Sequence, residues 1–128
     1  MSDAAFLLDS NICIYMLGGR SELARRRIET CSPGEIVTSA VAYAEIMRGV
    51  DPTDAGSMAK AERMFRIIPV LPFDRRAALA YAELPFRRAS YDRLIAAHAL
   101  SLGLVLVTNN ERDFVGVVGL KTENWTQA

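Results

Sequence analysis

The sequence is poor in the residues that several classes of protein require. It has two cysteines and one histidine among 128 residues, and Cys13 and Cys31 stand far apart without a C-x-x-C pattern. This spacing favours reduced cysteines, at least one of them in the core, over a disulfide or a zinc site. No apolar run approaches the roughly 18 residues that cross a bilayer, and the amino terminus lacks the basic start of a secretory signal. We therefore expect a soluble, cytoplasmic protein with no membrane partner.

The chain also lacks a net charge, with 15 basic and 15 acidic residues. This balance argues against a constitutively basic nucleic-acid binder. The basic residues are 13 arginines and only two lysines, and arginine has the planar fork that binds phosphate well. The arginines cluster at 25–27, 75–76 and 87–88, although the ordinary interpretation of any one cluster is a solvated helix face.

Strand-like and helix-like segments alternate along one domain that spans residues 1–128. Hydrophobic residues make up 51% of the chain, enough for a substantial core. The patterns predict strands at 6–8, 35–38, 69–71, 104–107 and 120–123, and helices at 11–17, 21–30, 39–48, 57–67, 73–84 and 91–102, with a helical turn at 109–114. Such alternation predicts a three-layer α/β/α domain with a mainly parallel sheet.

Four acidic residues follow, or lie near, the predicted strand ends, and each also has an ordinary structural interpretation. Asp9 is either a helix N-cap or a functional group, since it directly follows the apolar run Phe6-Leu7-Leu8. Asp92 lies in the first turn of the most apolar helix, where the helix dipole favours an anion. Glu45 could face solvent and pair with Arg48 at i+3. Asp113 could be an acid on a surface turn.

Taken together, the four acids indicate a metal site. The carboxyl ends of parallel strands share one edge of the sheet, so these side chains can converge there. Two carboxylates about 5 Å apart repel each other by about 3 kcal/mol at an effective dielectric constant of 20. An all-oxygen cluster suits a hard cation, Mg²⁺ or Mn²⁺, and such ions activate water for the hydrolysis of phosphodiester bonds.

Five segments carry a resemblance to a known family: Leu-Leu-Asp-Ser-Asn at 7–11, Ala-Glu-Ile at 44–46, Tyr-Asp-Arg-Leu-Ile-Ala-Ala-His-Ala-Leu at 91–100, Val-Thr-Asn-Asn at 107–110 and Gly-Leu-Lys-Thr-Glu-Asn-Trp at 119–125. In this order they resemble the PIN-domain ribonucleases over essentially the whole chain. Within this family, the sequence most resembles the VapC toxins of bacterial toxin–antitoxin pairs. The resemblance implies a PIN-like fold and an Mg²⁺- or Mn²⁺-dependent endoribonuclease toxin, often a homodimer, which a cognate VapB-type antitoxin holds inactive.

The resemblance also assigns residues. Asp9, Glu45 and Asp92 match the family's metal-binding, catalytic acids. The fourth acid falls at either of two nearby places, and we expect it to be Asp113, because Asn110 occupies the other. Polar side chains of the same segments are expected to support the site: Ser10, Asn11, Thr108 and Asn110.

If four acids bind metal, the remaining charges are 15 basic against 11 acidic, a surface of +4 that suits an RNA partner. The expected phosphate contacts are Arg87, Arg88 and Arg93, because they are close to Asp92 in sequence. His98 lies about 240° round the helix from Asp92 and about 9 Å along it, so we expect a core or interface histidine. We expect Trp125 and Tyr91 to pack rather than to stack on bases.

Two other functions fit parts of the pattern. The chain could be a PIN-like RNA- or protein-binding module whose acids are too dispersed to hold metal. A phosphotransfer enzyme of the dehalogenase or receiver type also places an aspartate after its first strand. Asn11 replaces the second acid that such an enzyme requires, and neither Lys60 nor Lys121 follows a strand end, so this function is disfavoured.

Overall fold

The structure is a computed structural model that describes residues 3–85 and 88–127. Within these ranges the strands are β1 Phe6–Leu8, β2 Ile36–Ser39, β3 Val70–Leu71, β4 Val105–Val107 and β5 Thr122–Glu123. The α-helices are α1 Ser10–Gly18, α2 Glu22–Glu29, α3 Ala40–Arg48, α4 Ala55–Ile67, α5 Arg75–Ala82 and α6 Tyr91–Leu102, and a 3-10 helix spans Glu111–Phe114. None of the helices in the described residues is long and apolar enough to cross a membrane.

The five strands form one parallel sheet in the order β3-β2-β1-β4-β5. Strands β2 and β3 lie on one side of β1, and the later strands β4 and β5 lie on its other side. The carboxyl ends of β1 and β4 therefore border the crevice at which open α/β sheets bind ligands. Leu8 is in register with Thr38 on one side and Val107 on the other, so the residues that follow these strands emerge together.

The core lies on both faces of the sheet. Leu8 packs into one buried cluster with Ile12 and Ile28, whereas Leu7 packs into another with Ile95 and Leu106. Adjacent residues of a strand point to opposite faces, so a strand covered on both sides must be apolar throughout. The helices on the two faces confirm the predicted α/β fold with a parallel sheet.

Local signals set the helix boundaries. Each α-helix begins at a side chain whose oxygen accepts a hydrogen bond from an N–H of the first turn: Asp9, Ser21, Ser39, Asp54, Asp74 and Ser90. The predicted caps Ser21, Ser39 and Ser90 are confirmed. The predicted start of α4 at residue 57 is wrong by two residues, because Asp54 caps the helix. Strand β5 is also shorter than predicted, since Leu120 N–H bonds to the Val117 carbonyl in a turn.

Candidate active site

Asp9 directly follows β1 and is almost completely buried, with 3% of its surface exposed. Its Oδ1 accepts a hydrogen bond of 2.9 Å from the N–H of Ile12, so the N-cap interpretation is confirmed. A cap alone does not account for its environment. The pKa of Asp9 is raised to about 6, mainly by burial; hydrogen bonds from Thr108 and Ile12 partly offset this rise, and the charges of Asp92 and Glu45 add to it.

Glu45 points inward from α3. Its Oε1 is buried and, within the described residues, has no hydrogen-bond partner. Burial raises the pKa of Glu45, a hydrogen bond with Ser10 lowers it, and the charge of Asp92 raises it. Pairing with Arg48 is not observed, because no ion pair in the described parts of the chain includes Glu45.

Asp92 and Asp113 line the same cavity of about 540 Å³. Asp92 lies in the first turn of α6 and is partly buried. Burial and then the charge of Asp113 raise its pKa. Asp113 lies in the 3-10 helix and is exposed, and its Oδ2 accepts a hydrogen bond of 2.6 Å from Nδ2 of Asn110. Asn110 and Asp113 thus form a pair in which the amide orients the acid.

The acids interact as like charges. Asp9 is coupled to Glu45 and Asp92, Glu45 to Asp92, and Asp92 to Asp113. The structure therefore brings the four predicted acids to one edge of the sheet. Across residues 3–85 and 88–127, however, no three Asp, Glu, His or Cys side chains are close enough to form a ready-made metal site.

This arrangement fits a hydrated hard cation. The donors are carboxylate oxygens, the ligands preferred by Mg²⁺, and Glu45 Oε1 is a buried acceptor that no group in residues 3–85 and 88–127 satisfies. Mg²⁺ usually keeps several waters and binds only one or two carboxylates directly, so it does not require three acids in direct contact. A divalent cation would also relieve the repulsion that raises the pKa values of these acids.

Of the predicted supporting residues, three contact the acids. Ser10 is buried and bonds to Glu45, and the hydroxyl of buried Thr108 bonds to Asp9. Asn110 holds Asp113, and its own N–H donates to Thr108 Oγ1 at 3.1 Å. Asn11 is exposed, and its side chain makes no hydrogen bond to the acids in the described residues.

Comparison with known proteins identifies the family. Residues 6–119 match the PIN domain. The chain belongs to the PIN domain family. It is 33% identical to the tRNA(fMet)-specific endonuclease VapC of Shigella flexneri over 94% of this chain and 98% of that protein. It is 30% identical to ribonuclease VapC2 of Haemophilus influenzae over 94% and 97% of the two chains. The structure of DNA-bound VapBC from Salmonella typhimurium matches with a TM-score of 0.84 and 30% identity, over 95% of this chain and 98% of that one.

The predicted phosphate contacts of this PIN domain differ in their surroundings. Arg88 is exposed at the cavity that holds Asp92 and Asp113. Arg93 lines the same cavity, but its Nη2 donates a hydrogen bond of 2.7 Å to the carbonyl of Pro85. Arg93 therefore also holds the chain at Pro85. The predicted contact at Arg87 lies outside the described residues.

The burial of His98, the aromatic residues and the cysteines tests the remaining predictions. His98 is buried, and its Nδ1 lies 2.8 Å from Ser39 Oγ, which confirms a core histidine. Trp125 is buried against Phe6. The packing prediction for Tyr91 is wrong, because its position at the start of α6 leaves it 55% exposed. Both cysteines are free, and Cys13 is buried.

Sequence reasoning missed one contact of the PIN domain. Asn109 Nδ2 donates a hydrogen bond of 3.0 Å to the hydroxyl of Tyr15, 94 residues away. The other amide atom, Oδ1, is buried and has no hydrogen-bond partner in the described residues. Leaving a buried polar atom unpaired costs about 1–3 kcal/mol. The sequence signal on one side was the polar run 108–110 after a buried strand, and nothing in the sequence pointed to Tyr15 as the partner.

Proposed function

We propose that this PIN domain is a divalent-metal-dependent endoribonuclease and the toxin of a toxin–antitoxin pair. The observation that carries the proposal is the coupled set of Asp9, Glu45 and Asp92, three acids with raised pKa values at the carboxyl edge of the sheet. Clustered acids with perturbed pKa values are typical of functional sites. The ribonuclease names of relatives at 30–33% identity support the same activity.

The proposed activity assigns a role to each residue of the site. Asp9, Glu45 and Asp92 would hold Mg²⁺ or Mn²⁺, with Asp113 at the margin. The ion would supply activation of a water molecule and stabilisation of negative charge on the phosphate. Thr108 and the Ile12 N–H fix the Asp9 carboxylate. The hydrogen bond with Ser10 fixes the Glu45 carboxylate. Hydrolysis would leave 5′-phosphate and 3′-hydroxyl ends.

The names of the relatives support some of the partners that we propose. The Shigella flexneri relative is named as specific for tRNA(fMet), so transfer RNA is the first substrate class to test. We propose Arg87, Arg88 and Arg93 as phosphate contacts, because arginine forms bidentate bonds with phosphate. The related VapBC structures support a VapB-type antitoxin as the inhibitor. We further propose a homodimer that acts in the cytoplasm, where its RNA substrate is found.

The test is cleavage of total cellular RNA by the purified protein with Mn²⁺, followed by mapping of the new 5′ ends. We expect discrete cuts that disappear with EDTA and in Asp92→Asn. Asp54→Asn is the matched control, because Asp54 is an exposed N-cap acid of α4 and asparagine caps helices equally well. If Asp92→Asn retained full activity with unchanged metal dependence, the proposal would be wrong.

A binding module without catalysis is the second candidate. The observation that favours it is the wide spacing of the acids, since no three of them are in direct reach of one another in the described residues. A ligand that binds only the folded state raises its stability. The nuclease therefore predicts a higher melting temperature with Mn²⁺, and the binding module predicts no change.

A further inference from the structure

The three consecutive residues after β4 form hydrogen bonds to three separate segments of the chain around the site. The Thr108 hydroxyl bonds to Asp9, Asn109 Nδ2 to the Tyr15 hydroxyl at 3.0 Å, and Asn110 Nδ2 to Asp113 at 2.6 Å. The first and third of these contacts reach proposed metal-binding acids. The second reaches a residue that is not an acid, and it has no role in the proposed mechanism.

Tyr15 belongs to the element that begins at Asp9. It lies in α1, six residues after the cap, which is about 9 Å along the helix axis. Its ring is partly buried, and the guanidinium carbon of Arg20 lies 6.0 Å from the ring centroid. The hydrogen bond with Asn109 therefore joins the second turn of α1 to the loop that leads into the 3-10 helix.

The chemistry of Asn109 indicates a geometric role rather than a stabilising one. One of its amide atoms is buried without a partner in the described residues. Replacing both partners of a buried hydrogen bond by apolar groups can be neutral or stabilising, so an apolar pair at these two positions would avoid the unpaired atom. What the amide provides, and an apolar side chain cannot, is a directional bond to Tyr15.

We propose that Tyr15 and Asn109 are positioning residues of the nuclease, an inference that rests on the proposed function. Their hydrogen bond holds the segment that carries Asp113 at a fixed distance from the helix that begins at Asp9. The charge of Asp92 interacts with both Asp9 and Asp113. The hydrogen bond between Tyr15 and Asn109 therefore controls the spacing of the acids. Partners that orient metal-binding side chains matter because the metal accepts a narrow range of geometries.

Tyr15→Phe tests this inference, because it removes one oxygen and keeps the ring. We expect kcat for RNA cleavage to fall about tenfold with KM roughly unchanged, as for the loss of other partners that orient metal ligands. The Mn²⁺ concentration that gives half of the thermal shift of the metal-free protein should rise by about the same factor. The matched control is Tyr43→Phe on α3, whose ring packs edge-to-face on Phe65 at 4.8 Å. It should leave both quantities unchanged.

Asn109→Ala and the double variant Tyr15→Phe/Asn109→Ala show whether the two residues act through one bond. If they do, the double variant is no worse than the more impaired single variant. If Tyr15→Phe had the kcat and the Mn²⁺ response of the wild type, this inference would be wrong and the proposed function would stand. A wild-type protein that neither cleaves RNA nor responds to Mn²⁺ would overturn the proposed function and this inference with it.

Discussion

Asp9 shows how one residue can be a structural cap and a destabilising charge at once. Its carboxylate accepts the N–H of Ile12, which stabilises the start of α1, yet burial raises its pKa from 3.8 to about 6. At 1.36 kcal/mol per pKa unit, keeping Asp9 ionised near neutral pH costs the metal-free fold about 3 kcal/mol. A residue kept for the fold alone would be asparagine, which caps a helix without the charge.

We therefore predict that Asp9→Asn stabilises the metal-free protein at pH 8. The folded state of the wild type binds more protons than the unfolded state between pH 3.8 and about 6, so this contribution to stability is lost as the pH rises through that window. The variant should be more stable by about 1–3 kcal/mol at pH 8 and similar to the wild type at pH 4. Urea denaturation in EDTA at the two pH values measures the difference.

The comparison cancels the titrating groups that do not interact with Asp9, and it includes the relief of the repulsion between Asp9 and the charges of Glu45 and Asp92. Burial lowers the pKa of His98, so its contribution has the opposite sign and is lost as the pH falls below about 6.5. His98 is present in both proteins, and its contribution cancels in the difference. If Asp9→Asn were the less stable protein at pH 8, the cap would outweigh the buried charge and this account of Asp9 would be wrong.

At the scale of elements, Ser39 connects the two helices that carry Glu45 and Asp92. It ends β2, its Oγ caps α3 by accepting the N–H of Val41 at 3.1 Å, and the same oxygen lies 2.8 Å from His98 Nδ1 on α6. Both Ser39 and His98 are buried. This contact fixes the first turn of α3 against the middle of α6.

Ser39→Ala should therefore cost more than the loss of an ordinary cap. We expect a decrease of about 2–4 kcal/mol in the free energy of unfolding, from the lost cap and from a buried His98 nitrogen left without a partner. Ser21→Ala, which removes only the cap of α2, should cost about 1 kcal/mol. Chemical denaturation of both variants gives the two values. Equal losses would mean that the His98 contact contributes nothing.

Elements whose signals are local could be predicted from the sequence. Ser21, Ser39 and Ser90 precede their helices directly and determine where they start, so the hydrogen-bonding groups that decide each boundary are neighbours in the chain. The contact of Asn109 with Tyr15 spans 94 residues, and no local pattern contains it. The exposure of Tyr91 likewise depends on which elements cover the first turn of α6, and periodicity does not specify this.

For the whole molecule, the sequence indicated that the acids could converge but not how closely. Convergence follows from parallel strands, because their carboxyl ends share an edge. The separation of the acids depends on strand order and on contacts such as that of Asn110 with Asp113. The four acids thus reach one edge as expected, and the described residues form no tight group of three.

The charge of the whole molecule gives a final prediction, about RNA binding. A net charge of zero, or +4 apart from the four acids, gives only a weak general attraction to RNA, so binding should depend on a few arginines close to the acids. Each phosphate contact to a single strand contributes about 0.7 to the slope of log affinity against log salt concentration. Arg88 is exposed at the acidic cavity, so we expect Arg88→Ala to weaken RNA binding and to reduce that slope by about 0.7.

The measurement is RNA affinity across a salt series in the Asp92→Asn background, which prevents cleavage during the titration. Arg88 is more informative than Arg93, because Arg93→Ala would also remove the hydrogen bond to the carbonyl of Pro85 and so mix two effects. Arg63→Ala, on an exposed position of α4, is the matched control for the loss of one positive charge. If Arg88 contacts a phosphate, the slope of log affinity against log salt concentration should be smaller in Arg88→Ala than in Arg63→Ala. Equal slopes would show that the RNA backbone does not contact the protein at Arg88.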